Sequence, residues 1–243
     1  MPRRGDAAMM ADPWAATRPC GGMSIDHIGI VVRELTPTVD GFERRGFLVS
    51  APTELLDSDG RPMGQKSAYI VFENGYVAIN APIPGTGNPL APYLAAGEGI
   101  HSLSLRSRSA KADHRKLAAG GLAAAKPRRA SRAFGRDDGN NRVRFNWFPL
   151  APVIPGVLIT VIEHLDPLEV LAPEHIAHPN GARQFQDVLF GGSMPSLALH
   201  EDAAAPAILC AQNLPRGIRG FTVSGGGESR LDRREGYFVR ALP

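Results

Sequence analysis

The sequence predicts an α+β fold in which tandem βαβββ units form a cupped, mostly antiparallel sheet around a cleft. Two strand–helix segments have the same length, with 19 residues from His27 to Gly46 and 19 from His101 to Gly120. Each segment begins with a short apolar run that carries a histidine, and three strand-like runs follow each helix. A helix that covers one face of such a sheet leaves the other face open, so two units can enclose a cleft.

The first unit begins with a strand over residues 25–32, where the sequence IDHIGIVV is short and rich in β-branched residues. Thr36 and Pro37 are typical of a helix N-cap and of the first helical position, and Gly46 is typical of a helix end. The dipeptide at 74–75, Asn-Gly, favours a tight hairpin turn. Three strands are predicted after the helix, over residues 47–52, 66–73 and 76–80.

The second unit repeats this order from residue 99. The sequence GIHSLSLRS is strand-like, Ser109 is typical of an N-cap, and AKADHRKLAA is helical up to Gly120. A loop rich in Gly, Asp and Asn, at 134–142, makes this unit longer than the first. Its three later strands are predicted over residues 123–133, 143–150 and 157–164.

Composition indicates an ordinary globular protein. The chain has 243 residues, 43% of them hydrophobic and 21% charged, and it contains no apolar run of about 18 residues that would span a membrane. Two cysteines, Cys20 and Cys210, are too few for a disulfide-rich scaffold or a thiolate zinc site. This cysteine usage fits a reducing, cytoplasmic location.

The net charge of +3 is unevenly distributed, because residues 106–144 contain twelve Lys and Arg but only three acids. Such a stretch can be a solvated face, a surface that attracts an anionic small substrate, or a nucleic-acid patch. Poor aromatic interleaving and the lack of any DNA-binding motif disfavour nucleic acid. If Arg128, Arg129 and Arg132 lie at the rim of the cleft, they would attract an anionic ligand.

The first 22 residues have no hydrophobic or helical period, and no secretory signal is supported. We expect them to be either a disordered tail or a mis-assigned start, with Met23 as the natural first residue. Their removal is then expected to cost little stability.

Four segments resemble the vicinal oxygen chelate superfamily, which includes glyoxalases, bleomycin-resistance proteins and extradiol dioxygenases. They are IDHIGIVV, GYVAINAP, GIHSLSLRS and VIEHLDPLEVLAPEHIAHPNGA. The closer resemblance is to glyoxalase-like domain proteins, and it covers residues 23–182. It implies a paired βαβββ domain there and a partial third unit, packed on it, over residues 183–243. Strands of this third part are predicted over residues 184–190, 196–200, 207–211, 218–224 and 237–242.

The resemblance implies a divalent metal held by His27, His101 and Glu163. In metal-binding members each first strand gives a histidine and each fourth strand a carboxylate, but Ala78 stands where the first unit's glutamate would be. Two histidines and one carboxylate remain, a set that suits Fe(II) or Zn(II) with open coordination positions. Glu163 and His164 cannot both face the cleft, because successive strand residues point to opposite faces.

Arg144, Asn146, Tyr69 and Asn80 are candidate substrate-binding residues. Arg144 and Asn146 lie on the third strand of the second unit, where alternate residues can line the cleft, and Tyr69 lies on the equivalent strand of the first. Asn80 is the polar residue nearest to Ala78 on the same strand face. Each of these residues is more often structural than functional.

Two main functions therefore remain open, beside a third interpretation as a degenerate, non-catalytic domain that serves regulation or assembly. The first is a metal-dependent enzyme that acts on a small oxygen-bearing substrate, by lyase, isomerase or extradiol dioxygenase chemistry. The alternative is a metal-free protein of the same fold that binds or sequesters a small molecule without catalysis. A homodimer is expected by resemblance, and no nucleic-acid or membrane partner is expected.

Overall fold

A computed structural model describes residues 12–20, 23–133, 142–195, 197, 199, 204–225, 230–234 and 237–243. The fold is mixed α+β and dominated by two curved sheets. The helices are α1 Leu35–Glu43, α2 Ala91–Leu94, α3 Ala110–Ala119, α4 Pro167–Val170 and α5 Pro173–Ile176. The strands are β1 Arg18–Pro19, β2 Ile25–Val31, β3 Thr53–Asp57, β4 Pro62–Phe72, β5 Gly75–Pro82, β6 Gly99–Arg106, β7 Arg128–Ala133, β8 Arg142–Pro149, β9 Leu158–His164, β10 Gln184–Gly191, β11 Ala207–Ala211, β12 Gly217–Ser224, β13 Arg230–Arg234 and β14 Tyr237–Leu242.

The first sheet is a closed barrel with the strand order β2-β5-β4-β3-β7-β8-β9-β6. In each half, the first strand pairs in parallel with the last, β2 with β5 and β6 with β9. The halves meet through the antiparallel pairs β2–β6 and β3–β7. The predicted sheet is therefore mostly antiparallel, as expected, but it closes into a barrel because β3 and β7 pair.

Some predicted element boundaries are wrong. Helix α1 begins at Leu35 after Glu34, so Thr36 is not its cap, whereas Ser109 caps α3 by accepting a hydrogen bond from the Ala112 amide. Residues 47–52, predicted as a strand, are not part of one, and the first strand after α1 is β3. Phe47 and Val49 are buried in the core, so their apolar character reflects packing and not strand pairing.

The second sheet has the order β1-β11-β10-β12-β14-β13 and packs on the outside of the barrel. Rings of Phe185 and Phe221 from this sheet meet each other, and Phe185 also meets Phe72 of the barrel. Strand β13 was not predicted, and part of the strand expected at 196–200 lies outside the described residues. The described part of 183–243 contains five strands and no helix, so its relation to a partial third unit stays a prediction.

Residues 12–20 pack against this second sheet and are not a disordered tail. Trp14 is only 5% exposed, and its indole N–H donates to Asp187 Oδ1 at 2.9 Å. Strand β1 pairs with β11, and Cys20 forms a disulfide with Cys210. The cysteine count did not anticipate this bond, which removes the support that cysteine usage gave to a reducing compartment. Residues 1–11 and 21–22 lie outside the described part.

Within the described residues, no helix is both long enough and apolar enough to cross a membrane.

Candidate functional site

The interior of the barrel contains a cavity of about 120 Å³. Apolar side chains on the outer face of the barrel strands, such as Ile28, Ile30 and Val77, belong to the main core. The inner face is instead partly polar, and its polar side chains at the cavity include Ser67, Asn80, Ser102, Ser104, Arg132 and Thr160. Space for a small organic molecule and groups that can orient it are therefore found together.

Strand register brings His27 to this cavity. His27 of β2 lies between Tyr76 of β5 and Ser104 of β6, directly opposite both. The next residue on the same face, Gly29, lies between Ala78 and Ser102. Ala78 lines the cavity, as the prediction from the family pattern required, and contributes no carboxylate there.

The His27 imidazole is hydrogen-bonded through both ring nitrogens. Nδ1 lies 2.8 Å from Asp26 Oδ1, and Nε2 lies 2.8 Å from the Ser104 hydroxyl. Ser104 Oγ is in turn 2.6 Å from Thr160 Oγ1. The ring also stacks on Tyr76, with centroids 4.2 Å apart and planes 15° apart. His27 is thus held in one orientation at the wall of the cavity.

Asp26 reaches His27 because the β2–β6 register shifts between Ile25 and His27, which places Asp26 on a β-bulge. The same carboxylate oxygen lies 3.0 Å from His164 Nε2, and its other oxygen lies 3.5 Å from Arg106 Nε. A buried carboxylate therefore has two imidazoles and a guanidinium as partners. This arrangement offsets the cost of removing its charge from water.

The protonation states follow from burial and these contacts. Burial opposes the charge of Asp26, but His164 and His27 outweigh it and hold the pKa of this carboxyl well below its usual range. Burial lowers the pKa of His27, against the opposing effect of Asp26. Burial and the nearby Asp26 carboxylate raise the pKa of Tyr76 well above 10. At neutral pH the site therefore contains a carboxylate, a neutral imidazole and a neutral phenol.

Arg132 brings a positive charge into the cavity. It is 2% exposed, and its guanidinium lies 3.7 Å from the centroid of the Tyr69 ring and 5.3 Å from that of Tyr76. The condition that Arg132 lies at the rim of the cleft is not met, since its side chain is buried inside the barrel. Arg128 stacks on the Trp147 ring instead, at 4.5 Å.

Tyr69 and Asn80, two of the predicted substrate-binding residues, line the cavity. Asn80 accepts a hydrogen bond from the Ser67 hydroxyl at 2.7 Å, which fixes the orientation of its amide. Arg144 and Asn146 do not line it. Arg144 makes an exposed ion pair with Asp166, and Asn146 donates to Glu163 on the outer face of the barrel.

The three predicted metal ligands do not converge. Glu163 lies on the outer face, where Oε2 accepts hydrogen bonds from the Ala110 amide at the start of α3 and from Asn146 Nδ2. His101 lies where the β2–β6 register shifts again, and its ring nitrogens each face a carbonyl oxygen, of Gly97 and of Gly156, both at 2.9 Å. His27 uses both its nitrogens as well.

This donor set does not fit a metal. A ligating imidazole needs one ring nitrogen with a free lone pair directed at the ion, and a ligating carboxylate must lie on the same side of the sheet. Across the described ranges, no group of three or more His, Cys, Asp or Glu side chains could hold a metal ion. We therefore derive no step through a metal.

The sequence did not identify Asp26 and Ser104 as site residues. Asp26 precedes a histidine on an apolar strand, and alternation places it on the other face. Ser104 lies three residues after His101 on the equivalent strand, where a serine carries little signal. Arg132 was named with Arg128 and Arg129 as a possible rim residue, but no sequence signal set it apart as the one buried in the cavity. The one available indication was Asp26 itself, because an acidic side chain within a buried strand is costly unless it has partners.

The closed barrel with its partly polar cavity defines a candidate small-molecule site, and comparison with known proteins identifies the class. Residues 25–204 match the family described as glyoxalase-like domain, more than half of the chain, so the chain belongs to this family of the vicinal oxygen chelate superfamily. No curated protein shows a significant match.

Several solved structures are similar to this chain, and one of them shares its fold over most of the chain. A hypothetical protein from Staphylococcus aureus is similar over 90% of this chain and 98% of its own, with a TM-score of 0.66 and 10% identity. Methylmalonyl-CoA epimerase from Streptomyces coelicolor, solved with 2-nitronate-propionyl-CoA, is 24% identical over 59% of this chain and 98% of its own, with a TM-score of 0.46. The epimerase from Mycobacterium tuberculosis is 22% identical over 59% and 89%, with a TM-score of 0.44. At these identities the likeness concerns the fold alone.

Proposed function

We propose that the barrel cavity binds a small organic molecule that carries an anionic group, and that the protein's own side chains hold it without a metal. The observation that carries this proposal is Arg132, a guanidinium buried inside the cavity. Among the two functions that the sequence left open, the donor geometry favours the metal-free one over a site formed by His27, His101 and Glu163.

The charge and shape of the cavity define the ligand class. A guanidinium presents its N–H groups in a planar fork that matches a carboxylate, and a charge-assisted hydrogen bond strengthens where water is excluded. The ring of Tyr69 covers one face of the Arg132 guanidinium, and the proposal places the ligand carboxylate at the edge of that guanidinium. Tyr69, Phe145 and Trp147 provide apolar surface for the rest of the molecule. We therefore expect a small carboxylate with an apolar or aromatic body.

Asn80 serves in this proposal as the polar contact at the other wall. Its Oδ1 accepts from Ser67, so its N–H groups remain the donating side of the amide. A ligand oxygen that accepts from Asn80 while its carboxylate meets Arg132 would be held at two points.

The experiment compares benzoate with benzamide on metal-depleted protein in the presence of a chelator. We expect benzoate to raise the thermal midpoint and to give a calorimetric binding isotherm, and we expect benzamide to do neither. Arg132→Gln is expected to abolish the preference for the acid. Arg129→Gln is the matched control, because Arg129 lies on the same strand but is exposed.

Equal binding of the amide would contradict the proposed anion site. Binding that appears only after zinc or iron is added would contradict the metal-free reading. Circular dichroism of Arg132→Gln shows whether a loss of binding reflects the site or the fold.

A further inference from the structure

The hydrogen-bonded chain at the cavity wall has an order with a chemical meaning. A carboxylate, an imidazole and a hydroxyl follow one another through Asp26, His27 and Ser104, and both contacts are 2.8 Å long. In that order a carboxylate orients an imidazole, and the imidazole can take the proton of a hydroxyl that attacks a substrate. Family membership does not assign such a role to these residues.

The proton positions in the chain are assigned from the hydrogen-bonding capacity of each group and the contacts it makes. Asp26 is ionised and accepts, so His27 Nδ1 carries the ring proton and donates to it. His27 Nε2 then has a lone pair, and Ser104 must donate its only hydroxyl proton to that nitrogen. Ser104 Oγ can consequently only accept from Thr160 Oγ1. The hydroxyl proton of Ser104 is therefore directed at a neutral base.

The position of the chain supports a chemical role over a purely structural one. His27, Ser104 and Thr160 all line the cavity, so the polarised hydroxyl lies at the wall of the space that a ligand would fill. The ring of His27 is restrained on its face by Tyr76, and Asp26 Oδ1, which His27 contacts, also meets His164 Nε2. Restraints of this kind preorganise an acid–base group.

We propose that Ser104 is a nucleophile, with His27 as its general base and Asp26 as the positioning residue, and that the protein hydrolyses small carboxylic esters in the barrel cavity. This inference rests on the proposed function for the location of the site. An ester whose acyl part carries an anionic group would place that group near Arg132.

The reaction balances without a redox partner. Ser104 Oγ forms a bond to the acyl carbon while its proton passes to His27 Nε2. The bond between the acyl carbon and the leaving oxygen breaks, and His27 returns the proton to that oxygen, which leaves as an alcohol. Water then attacks the acyl carbon while His27 Nε2 takes its proton, the bond between that carbon and Ser104 Oγ breaks, and His27 returns the proton to Oγ. One ester and one water thus give one acid and one alcohol.

The test uses diisopropyl fluorophosphate, which phosphorylates activated serines and releases fluoride. Metal-depleted, full-length protein is incubated with it, and the modified residue is located by peptide mass spectrometry. We expect one adduct, on Ser104, together with a burst of nitrophenol from 4-nitrophenyl acetate. His27→Gln is expected to lower the labelling rate by at least about 100-fold.

Ser107→Ala is the matched control for Ser104→Ala. Ser107 is also buried, just beyond the end of β6, but its hydroxyl donates to Asp113 at 2.6 Å and contacts none of the imidazoles that the structure describes. We expect Ser104→Ala to lose the label and Ser107→Ala to keep it. Because the adduct is mapped in the wild-type chain, the result does not depend on whether a variant folds.

Wild-type protein without an adduct at Ser104, or with an equal adduct on another serine, would overturn the inference. If that protein still binds benzoate, the proposed function stands and only the nucleophile is lost. If neither benzoate nor the phosphorylating reagent binds, both proposals fail.

Discussion

His27 shows how much one residue's partners decide about its chemistry. The repeat identified it as a site residue, and the structure places it at the cavity wall. A metal ligand and a general base both use a neutral imidazole, so the residue type alone could not distinguish them. Its two partners decide between these roles. Asp26 is the adjacent residue in the sequence, whereas Ser104 is 77 residues away.

The charge state of His27 leads to a prediction about acid stability. Its pKa in the folded protein lies below the value of 6.5 that it has when exposed, so the unfolded chain binds more protons between those two pKa values. Stability is therefore expected to fall as the pH decreases below about 6.5. Burial also lowers the pKa values of His178 and His175, which contribute to the same trend with the same sign.

The contribution of His27 is obtained from the difference between wild type and His27→Gln. Thermal midpoints measured from neutral pH down to about pH 5 should fall more steeply in the wild type than in this variant. The Asp26 carboxyl protonates only in a more acidic range, because its pKa lies well below the usual one. Parallel curves for the two proteins would show that His27 is not buried as a neutral group.

At the level of the strand, the alternation of side chains correctly placed Glu163 and His164 on opposite faces. It did not show which of the two faces the cavity, because both faces of β9 are rich in apolar residues. The structure places Glu163 outside and His164 against Asp26. Register shifts at Asp26 and His101 then break the period of two, and no sequence pattern marks either bulge.

Gly29 shows how closely β2 approaches its neighbours. A Cβ at this position would lie 2.1 Å from Ser102 Oγ and 2.8 Å from Asn80 Nδ2. We expect Gly29→Ala to narrow the cavity and to cost about 1–3 kcal/mol in the free energy of unfolding, as overpacking does. Urea unfolding measures this, and adding Ser102→Ala should restore part of the loss.

Gly87→Ala serves as the control for Gly29→Ala, because nothing lies within 4 Å of a Cβ at position 87. It is expected to leave the urea midpoint almost unchanged. A Gly29→Ala protein as stable as the Gly87→Ala protein would mean that the barrel is wider at this layer than the structure shows.

At the scale of the whole molecule, the fold class followed from the repeat, but two features did not. Closure of the barrel depends on the pairing of β3 with β7. The paired residues Asp57 and Ala130 are 73 positions apart in the sequence, and nothing in either strand's sequence indicates the other. The packing of residues 12–20 depends on the second sheet. Strand β1 pairs with β11 of that sheet, and the Trp14 indole donates a hydrogen bond to Asp187. Long-range contacts of this kind leave no local period in the sequence.

The disulfide between Cys20 and Cys210 gives a prediction for overall stability. It links residues that are 190 positions apart, and a cross-link over a long loop restricts the unfolded chain strongly. Reduction, or Cys20→Ser together with Cys210→Ser, is expected to cost about 2–5 kcal/mol in the free energy of unfolding. Urea titrations with and without reductant measure it, and the double variant should not respond to reductant.

An unchanged urea midpoint after complete reduction, verified by a thiol count, would show that the N-terminal segment is held by its other contacts alone.

The expected homodimer and the cytoplasmic location remain predictions.

The central claim is that the cavity holds an anionic ligand with the protein's own side chains, while His27 belongs to a hydrogen-bonded chain. A crystal structure of the protein grown with both benzoate and zinc tests it most directly. We predict that the benzoate carboxylate lies against the Arg132 guanidinium and that His27 keeps Asp26 and Ser104 as its partners. Zinc bound by His27 together with His101 or Glu163 would contradict the account.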